Sequence, residues 1–310
     1  MDAEPSERSQ RLPFRAPFAA DTLLSFLGAR AVTGIEEVRE GTYLRSVQQS
    51  GNAAVVSMTP LTDHVELRVS EDASLDLAHL SERTRRALDL HADPVAIDEG
   101  LSSDPQLAPL VARLSGIRVP GTFDGFELVV RAIFGQQVSV AGARTSLGRL
   151  VARAGTPLER PDGAITHLFP AAEQVAELPP EAFGMPRARA ETIRRVATLV
   201  SDGQLDLSGH GSRGETLSAL GEVPGIGPWT LGYVAMRALR DPDAFIAGDL
   251  GVRKGFDALG LPSTPREILA RAERWRPFRA YAVMHLWHAH QGLLRRPWEI
   301  PTVPDVPSVR

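Results

Sequence analysis

The 310-residue sequence contains no cysteine and only one lysine, Lys254. The absence of cysteine excludes disulfide bonds, thiolate nucleophiles, zinc ribbons and iron–sulfur clusters. No apolar run is long enough to span a bilayer, and the N-terminal segment MDAEPSERSQ lacks the apolar core of a signal peptide. We therefore expect a soluble, cytoplasmic protein without a membrane segment.

The sequence has no overall excess of positive charge, since the formal net charge is −4. The deficit is uneven: residues 1–100 carry 17 acidic and 10 basic side chains, whereas residues 101–310 carry a net charge of +3. Between Arg253 and Arg296, nine basic residues occur with three acidic ones. Proteins bind DNA phosphates through basic surfaces, so the charge distribution permits DNA binding by the C-terminal part alone.

Hydrophobic patterning divides the chain into three parts. Residues 1–17 are polar and punctuated by proline, which predicts a flexible tail. Residues 18–92 contain two helical segments and four strand-like segments, whereas residues 93–310 are almost wholly helical in period. We predict an α+β fold, in which a small antiparallel N-terminal sheet with helices precedes a mostly α-helical domain.

The apolar periods also give element positions. Val65, Leu67 and Val69 alternate with polar residues, which predicts that one face of the sheet is solvated. Thr122, Ser139 and Thr264 are predicted helix N-caps. The predicted strands are 35–40, 42–48, 53–58 and 64–69, and the predicted helices are 21–30, 75–90, 105–114, 123–135, 139–154, 171–177, 187–202, 214–220, 228–239, 250–259, 265–275 and 277–291.

The stretch LGEVPGIGPWTLGYVAMRALRDPDAFIAGDL, residues 220–250, carries the strongest local signal. Two glycines and two prolines within VPGIGP predict a tight reversal between two helices. Gly225 and Gly227 leave the backbone bare, so the amides that open the second helix can approach an anion closely. Such a phosphate contact reads no base sequence. Asp249 then precedes an apolar run, where an arbitrary aspartate most often only caps a helix.

These residues resemble the helix–hairpin–helix DNA glycosylase superfamily, whose signature is matched here by VPGIG and by AFIAGD ending in Asp249. The segments RAIFGQQVSVAGA at 131–143, FGMPRARAETI at 183–193 and RAERWRPFRAYAVMHLWH at 271–288 are similar to the bacterial 3-methyladenine DNA glycosylase II type. The resemblance covers nearly everything from Phe18 onward. It implies a hairpin at 220–240, a catalytic loop at 241–250 and Asp249 as the catalytic carboxylate.

The resemblance implies a monofunctional DNA glycosylase that flips alkylated purines out of double-stranded DNA and hydrolyses their N-glycosidic bond in base-excision repair. Relatives that also cut the backbone carry a lysine just after the hairpin, where this chain has Trp229. An N3- or N7-alkylated purine is already cationic and leaves without an acid, so one carboxylate suffices. Two alternatives stay open: a glycosylase of deaminated or oxidised bases, and a non-catalytic DNA-binding module.

The resemblance also implies site residues. Aromatic side chains that line the base pocket are Trp229, Tyr233, Trp287 and Phe26, for which ordinary core packing is the alternative. Residues implied to contact DNA are Gln136, Gln137, Gly225, Ile226, Gly227, Thr230 and Arg253. The resemblance further implies that the turn at 135–139, with Gln137, is a wedge that enters the minor groove and fills the gap left by the flipped nucleotide. Some relatives carry leucine at Gln137, aspartate at Gly248 and an aromatic residue at Leu250, and these differences affect the wedge and the mouth of the base pocket.

No cofactor is expected for catalysis. Hairpins of this kind tend to hold a monovalent cation through backbone carbonyls, which here belong to Gly221, Val223 and Ile226. The histidines of HLWHAH show no H-E-x-x-H pattern, so we expect His285 in the core rather than at a metal. One binding site per chain makes a monomer the simplest expectation.

Overall fold

The N-terminal part of the protein is a five-stranded antiparallel sheet. A computed structural model describes residues 8–69 and 75–290 of the chain, without the side chain of residue 290. The strand order is β1-β5-β4-β3-β2, and all neighbouring pairs are antiparallel. The strands are β1 (Arg8–Pro13), β2 (Glu36–Arg39), β3 (Thr42–Gln49), β4 (Asn52–Pro60) and β5 (His64–Val69).

The flexible tail predicted for residues 1–17 is wrong for residues 8–13, because they form strand β1. This strand pairs with β5 in a register that runs from Arg8 opposite Val69 to Pro13 opposite His64. In the segment RSQRLP only Leu12 is fully buried. Because this edge strand has a single buried apolar residue, its composition could not be distinguished from that of a polar tail. Residues 1–7 lie outside the described part of the chain.

Thirteen α-helices occur in the described part of the chain. All twelve predicted helices are present within a few residues, and α3 was not predicted. The helices are α1 (Ala20–Arg30), α2 (Leu77–Ala87), α3 (Pro94–Ser102), α4 (Ala108–Arg113), α5 (Gly125–Phe134), α6 (Val140–Ala154), α7 (Ala172–Glu177), α8 (Arg187–Ser201), α9 (Arg213–Gly221), α10 (Pro228–Arg237), α11 (Leu250–Ala258), α12 (Pro265–Ala272) and α13 (Arg279–His290), with short 3-10 turns at Pro180–Phe183 and Glu273–Trp275.

A small hairpin was missed in the helical part. It consists of β6 (Pro157–Asp162) and β7 (Ile165–His167), and Ile165 also forms a parallel bridge with Gly34. Its apolar residues pack with Leu44 and Val55 on the outer face of the N-terminal sheet. The face predicted to be solvated is therefore covered at β3, where five consecutive residues are buried.

Two of the three predicted N-caps are confirmed. Ser139 accepts a hydrogen bond from the Gly142 N–H, and Thr264 forms a capping box. Thr122 is not a cap, because the Asp124 side chain takes that place at α5 and accepts from the Glu127 N–H at 2.9 Å.

A buried ionic network joins the sheet to helix α5. Arg45 of β3 lies 2.8 Å from Glu127 of α5, and Arg131 of α5 lies 2.6 Å from Glu36 of β2. Tyr43 also donates a hydrogen bond to Glu36. Burial by itself would raise the pKa of the Glu36 carboxyl, but the Arg131 and Arg45 guanidiniums lower it. The network therefore fixes α5, whose last residue precedes the Gly135–Ser139 turn, against the sheet.

Candidate active site

The hairpin between α9 and α10 is a tight turn braced from a neighbouring helix. Gly225 has a φ of 92°, a conformation that favours glycine. Thr192 of α8 donates a hydrogen bond to the Pro224 carbonyl at 2.8 Å, and a Cβ at Gly225 would lie 2.3 Å from the Thr192 hydroxyl oxygen. Pro228 is the first residue of α10, as predicted, and Gly227 is its N-cap.

Backbone N–H groups at the start of α10 are available to a ligand. Among residues 8–69 and 75–290, no acceptor bonds the N–H groups of Gly225, Gly227 or Thr230. The positive end of the helix dipole lies at the same place, which suits an anion such as phosphate. The side chains of Ile226 and Thr230 are buried, so these two predicted contacts are limited to their backbone.

The predicted wedge turn is held against this hairpin. The Gln136 side-chain amide donates to the Gly225 carbonyl at 3.3 Å and to the Thr230 hydroxyl at 3.1 Å. Arg189 donates to the Gln136 carbonyl at 2.8 Å. The next residue, Gln137, is exposed and has a φ of 60°. Gln136 therefore positions the turn, and Gln137 stands at its exposed tip.

Asp249 lies at the N-terminus of α11 and accepts three hydrogen bonds. Its Oδ1 accepts from the Val252 N–H at 2.9 Å and from the Trp287 indole N–H at 2.8 Å. Its Oδ2 accepts from the Trp229 indole N–H at 2.8 Å. The carboxylate thus caps the helix and is also held by two aromatic side chains from α10 and α13.

The four aromatic residues predicted for the base pocket form one continuous group beside Asp249, called the stack below, in which the Tyr233 and Trp287 rings are tilted by 42°. The ring centroids of Trp229 and Tyr233 are 5.2 Å apart, those of Tyr233 and Trp287 are 6.5 Å apart, and those of Trp287 and Phe26 are 6.0 Å apart. The separation of Trp229 and Tyr233 is that of two rings in direct contact. A flat ligand would therefore have to lie against an outer face of this stack.

Two arginines at the stack were missed by the sequence reasoning. The Arg30 guanidinium lies 3.7 Å from the centroid of Phe26, and that of Arg237 lies 5.0 Å from it. Arg237 also donates to the Tyr233 hydroxyl at 2.6 Å. Both arginines lie in helices that were predicted from their apolar residues, and neither arginine belongs to a motif that would indicate a role in the site. The ring face of Phe26, which could attract a cationic ligand, is therefore occupied by the protein's own cations.

These guanidiniums set the electrostatics of the stack. Burial would raise the pKa of the Tyr233 phenol, but Arg237 and Arg30 lower it. Burial also lowers the pKa of Arg30. In the described part of the chain, neither Arg30 nor Arg237 forms a salt bridge with a carboxylate. The environment of the stack is consequently aromatic with an excess of positive charge.

The remaining candidates lie at the rim or away from the site. Arg253 is exposed on α11, one turn after Asp249, and Leu250 is 53% exposed at the rim. His285 is fully buried, as expected, and burial followed by the nearby His288 lowers the pKa of His285 to about 3. No cluster of three or more His, Asp or Glu side chains that could hold a metal occurs among the described residues.

Comparison with known proteins agrees with this geometry. Residues 9–124 match the AlkA N-terminal domain, and residues 130–280 match the HhH-GPD superfamily base excision DNA repair protein. The chain is 45% identical over 283 residues to the probable bifunctional transcriptional activator/DNA repair enzyme AlkA of Mycobacterium tuberculosis. That alignment covers 90% of this chain and 56% of the mycobacterial protein, so the chain spans little more than half of that relative's length.

Two further proteins extend the comparison. The chain is 33% identical over 283 residues to DNA-3-methyladenine glycosylase 2 of Escherichia coli, which covers 89% of this chain and 96% of that protein. A 3-methyladenine DNA glycosylase from Archaeoglobus fulgidus has the same fold, with a TM-score of 0.80 and 22% identity over 91% of this chain and 98% of that one.

The helix–hairpin–helix and the small antiparallel sheet beside it are those of the HhH-GPD superfamily of base-excision DNA repair proteins with an AlkA N-terminal domain. The chain belongs to the DNA-3-methyladenine glycosylase 2, or AlkA, family. The predicted family and fold class are confirmed. The predicted boundary between residues 92 and 93 stays a prediction. No helix of the described residues has the length and apolar character needed to cross a bilayer.

Proposed function

We propose that the protein is a monofunctional DNA glycosylase that hydrolyses the N-glycosidic bond of alkylated purines, such as 3-methyladenine and 7-methylguanine, in base-excision repair. The observation that carries the proposal is Asp249, a half-buried carboxylate held beside an aromatic stack and next to an anion-binding hairpin. Simple phosphate binding requires neither the carboxylate nor the stack. This argues against a non-catalytic DNA-binding module.

The carboxylate performs the chemistry. Cleavage of the glycosidic bond leaves a sugar with oxocarbenium character, which the negative charge of Asp249 stabilises, and the same group orients the attacking water. A base alkylated at N3 or N7 is already cationic and departs without protonation. Among the described residues, no second carboxylate accepts a hydrogen bond from Trp229, Tyr233 or Trp287, which fits a single-carboxylate site.

The hairpin and the wedge turn supply DNA binding. We propose that the N–H groups of Gly225, Gly227 and Thr230 bind a backbone phosphate, with Arg253 contacting a second one. Gln137, at the tip of its turn, fills the gap left by the flipped nucleotide and hydrogen-bonds the orphaned partner base. We also propose that the substrate is double-stranded DNA, that the working unit is a monomer and that the protein acts in the cytoplasm.

The absence of a lyase step rests on the position of lysine. A lyase of this class needs an amine that forms a Schiff base with the sugar. Here Trp229 stands after the hairpin and donates to Asp249, and the single lysine, Lys254, is exposed on α11. Borohydride reduction during the reaction is expected to trap no enzyme–DNA adduct. A trapped adduct would assign the protein to the glycosylase/lyases instead.

A monovalent cation in the hairpin is part of the proposal. The carbonyls of Gly221 and Ile226 accept no hydrogen bond within the described part of the chain, whereas that of Val223 accepts one from the Ile226 N–H at 3.0 Å. Carbonyl oxygens are suitable ligands for a hard cation, so two free carbonyls and one shared carbonyl fit the group. Such an ion would connect the hairpin backbone to a DNA phosphate. No cofactor is required for catalysis.

A shifted substrate range is the second candidate. The Arg30 and Arg237 guanidiniums at the stack repel a cationic base and can donate hydrogen bonds to a neutral one. At the rim, a Cβ at Gly248 would have no neighbour within 4 Å, and Leu250 is 53% exposed. These observations support a deaminated or oxidised base as the alternative substrate.

The first experiment is release of free bases from duplex DNA by the wild-type protein and by Asp249→Asn. Asparagine caps helices as well as aspartate does, so this variant tests the charge with little loss of stability. Asp257→Asn on the same helix replaces an exposed carboxylate and serves as the matched control.

Methylated and hypoxanthine-containing duplexes are compared, and binding to an abasic-site analogue is measured in parallel. We expect release of 3-methyladenine by the wild type and by Asp257→Asn, no release by Asp249→Asn, and binding by all three. Release of hypoxanthine alone would favour the second candidate. Binding to the abasic-site analogue without release of any base would support the alternative of a non-catalytic DNA-binding module.

A further inference from the structure

Among the described residues, three N–H groups donate to the Asp249 carboxylate, which leaves one acceptor position for a ligand. An ionised carboxylate offers about four lone-pair sites, two on each oxygen. Oδ1 uses both of its sites, for the Val252 N–H and for the Trp287 indole N–H, and Oδ2 uses one of its sites for the Trp229 indole N–H. The second site of Oδ2 is the remaining one.

The two indole donors come from distant parts of the chain. Trp229 lies 20 residues before Asp249, and Trp287 lies 38 residues after it. Both donors are neutral, so they orient the carboxylate without placing an opposing charge beside it. A lysine or arginine in the same place would offset the negative charge that the oxocarbenium sugar needs.

One glycine makes this arrangement possible. Gly251 is the second residue of α11, and a Cβ built there would lie 2.6 Å from Cδ1 and 2.9 Å from Nε1 of Trp287. The Trp287 ring is 8% exposed and packs on Phe26, so it cannot move aside at low cost. Any other residue at 251 would therefore displace the indole N–H from Oδ1.

We propose that Gly251, Trp287 and Trp229 form an indole clamp that fixes the Asp249 carboxylate plane and leaves Oδ2 as the oxygen that orients the attacking water. These three are positioning residues, since they act through Asp249. The inference rests on the proposed glycosylase function for its kinetic consequence. Its geometric part concerns the free protein and is tested without DNA.

The geometric test is nuclear magnetic resonance of protein labelled with ¹⁵N-tryptophan. The sequence has four tryptophans, and Trp275 supplies an internal reference because its indole N–H donates to the Asp104 carboxylate at 2.9 Å. Asp249→Asn is expected to shift the indole signals of Trp229 and Trp287 and to leave that of Trp275 in place. Gly251→Ala is expected to shift the Trp287 signal. Unchanged Trp229 and Trp287 signals in Asp249→Asn would overturn the clamp.

The kinetic test compares Gly251→Ala with a matched glycine. Gly214 is likewise the second residue of a helix, α9, behind a side-chain N-cap, and a Cβ there would have no neighbour closer than 4.0 Å. Both replacements favour the helix. Gly214→Ala is expected to keep the wild-type rate of single-turnover base release. Gly251→Ala is expected to lose about tenfold to a hundredfold, the range for one hydrogen bond to a charged group, with twofold or smaller changes in binding to an abasic-site analogue.

A second variant separates the clamp from general damage. Trp287→Phe keeps an aromatic ring but removes the N–H together with the five-membered part of the indole, so it is expected to lower the rate by a similar factor. The double variant with Gly251→Ala is expected to lose little more than either single one, because both act through the same bond. Additive losses, or a wild-type rate in Gly251→Ala, would contradict the proposal. A wild type that releases no base would refute the proposed function, and the indole signals would still decide the clamp.

Discussion

His285 makes the free energy of unfolding of the protein sensitive to acid. Its ring is fully buried, and neither ring nitrogen has a hydrogen-bond partner among the described residues. The folded protein keeps it neutral down to about pH 3, whereas an unfolded histidine protonates near pH 6.5. Below pH 6.5 the unfolded chain therefore binds a proton that the folded chain excludes. The free energy of unfolding should fall by about 1.4 kcal/mol per pH unit from this group as pH drops.

We predict that His285→Leu weakens this pH dependence. Relative to the wild type, the variant should gain about 2 kcal/mol more in free energy of unfolding at pH 5 than at pH 8. Urea unfolding curves at the two pH values measure the difference. The comparison at pH 8, where the histidine is neutral in both states, isolates the change in packing. An equal difference at both pH values would show that His285 is not the group responsible.

Individual residues were predictable to different degrees. Asp249 follows from its spacing after the hairpin and from the resemblance, and its role as an N-cap is visible in the sequence. The indole bonds to it were not predictable, because the donors Trp229 and Trp287 reach it through tertiary packing. Gly251 and Arg30 were missed for the same reason: their contacts are made across helices that the pattern does not place relative to each other.

The hairpin between α9 and α10 contains two glycines that can be compared by substitution, Gly225 and Gly227. We predict that Gly225→Ala lowers the free energy of unfolding by about 2 kcal/mol or more, because its φ of 92° is strained for alanine and its Cβ would meet Thr192. Gly227→Ala has no neighbour within 4 Å and a φ of −106°, so we expect a change of about 0.5 kcal/mol or less. Chemical denaturation of both variants tests this difference. Equal effects would show that the turn is not braced by Thr192.

A second prediction concerns Gln137 in the wedge turn. Gln137→Ala should slow base release from duplex DNA by about tenfold, because the gap left by the flipped nucleotide is then poorly filled and unpairing costs a few kcal/mol. Release from single-stranded DNA of the same sequence should change little, since no paired gap has to be filled. The ratio of the two rates is the measurement. A parallel loss on both substrates would place Gln137 in the base pocket or in general binding.

Elements with a strong apolar period were predicted well, and those with few apolar residues were missed. Strand β1 has one fully buried apolar residue, Leu12, and β6 has only Leu158. Their strand conformation is set by pairing with distant partners, which local sequence does not encode. Thr122 was chosen as the cap of α5 over Asp124 because both are suitable cap residues and they lie two positions apart, within the one or two residues by which helix boundaries vary.

The ionic network decides how the two halves of the molecule are joined. Glu127→Gln leaves Arg45 and Arg131 buried with one carboxylate instead of two, and we expect a loss of about 3–5 kcal/mol in the free energy of unfolding. Asp63→Asn breaks the Arg11–Asp63 pair, whose side chains are 68% and 69% exposed, and should cost about 1 kcal/mol or less. Urea unfolding of both variants tests the comparison. A small loss in Glu127→Gln would mean that the network is not what holds α5 to the sheet.

The hairpin β6–β7 is synthesised well after the sheet that it covers. Leu44 and Val55 of the sheet are covered by Leu158 and Ile165, which the ribosome adds about a hundred residues later. At a synthesis rate of roughly 5–20 residues per second, the outer face of the sheet stays uncovered for roughly 5–20 seconds in each new chain. During that interval the nascent N-terminal part presents apolar surface that chaperones or other nascent chains can bind. The hairpin β6–β7 protects the sheet of the finished protein, but the same sheet is uncovered while the chain is still being synthesised.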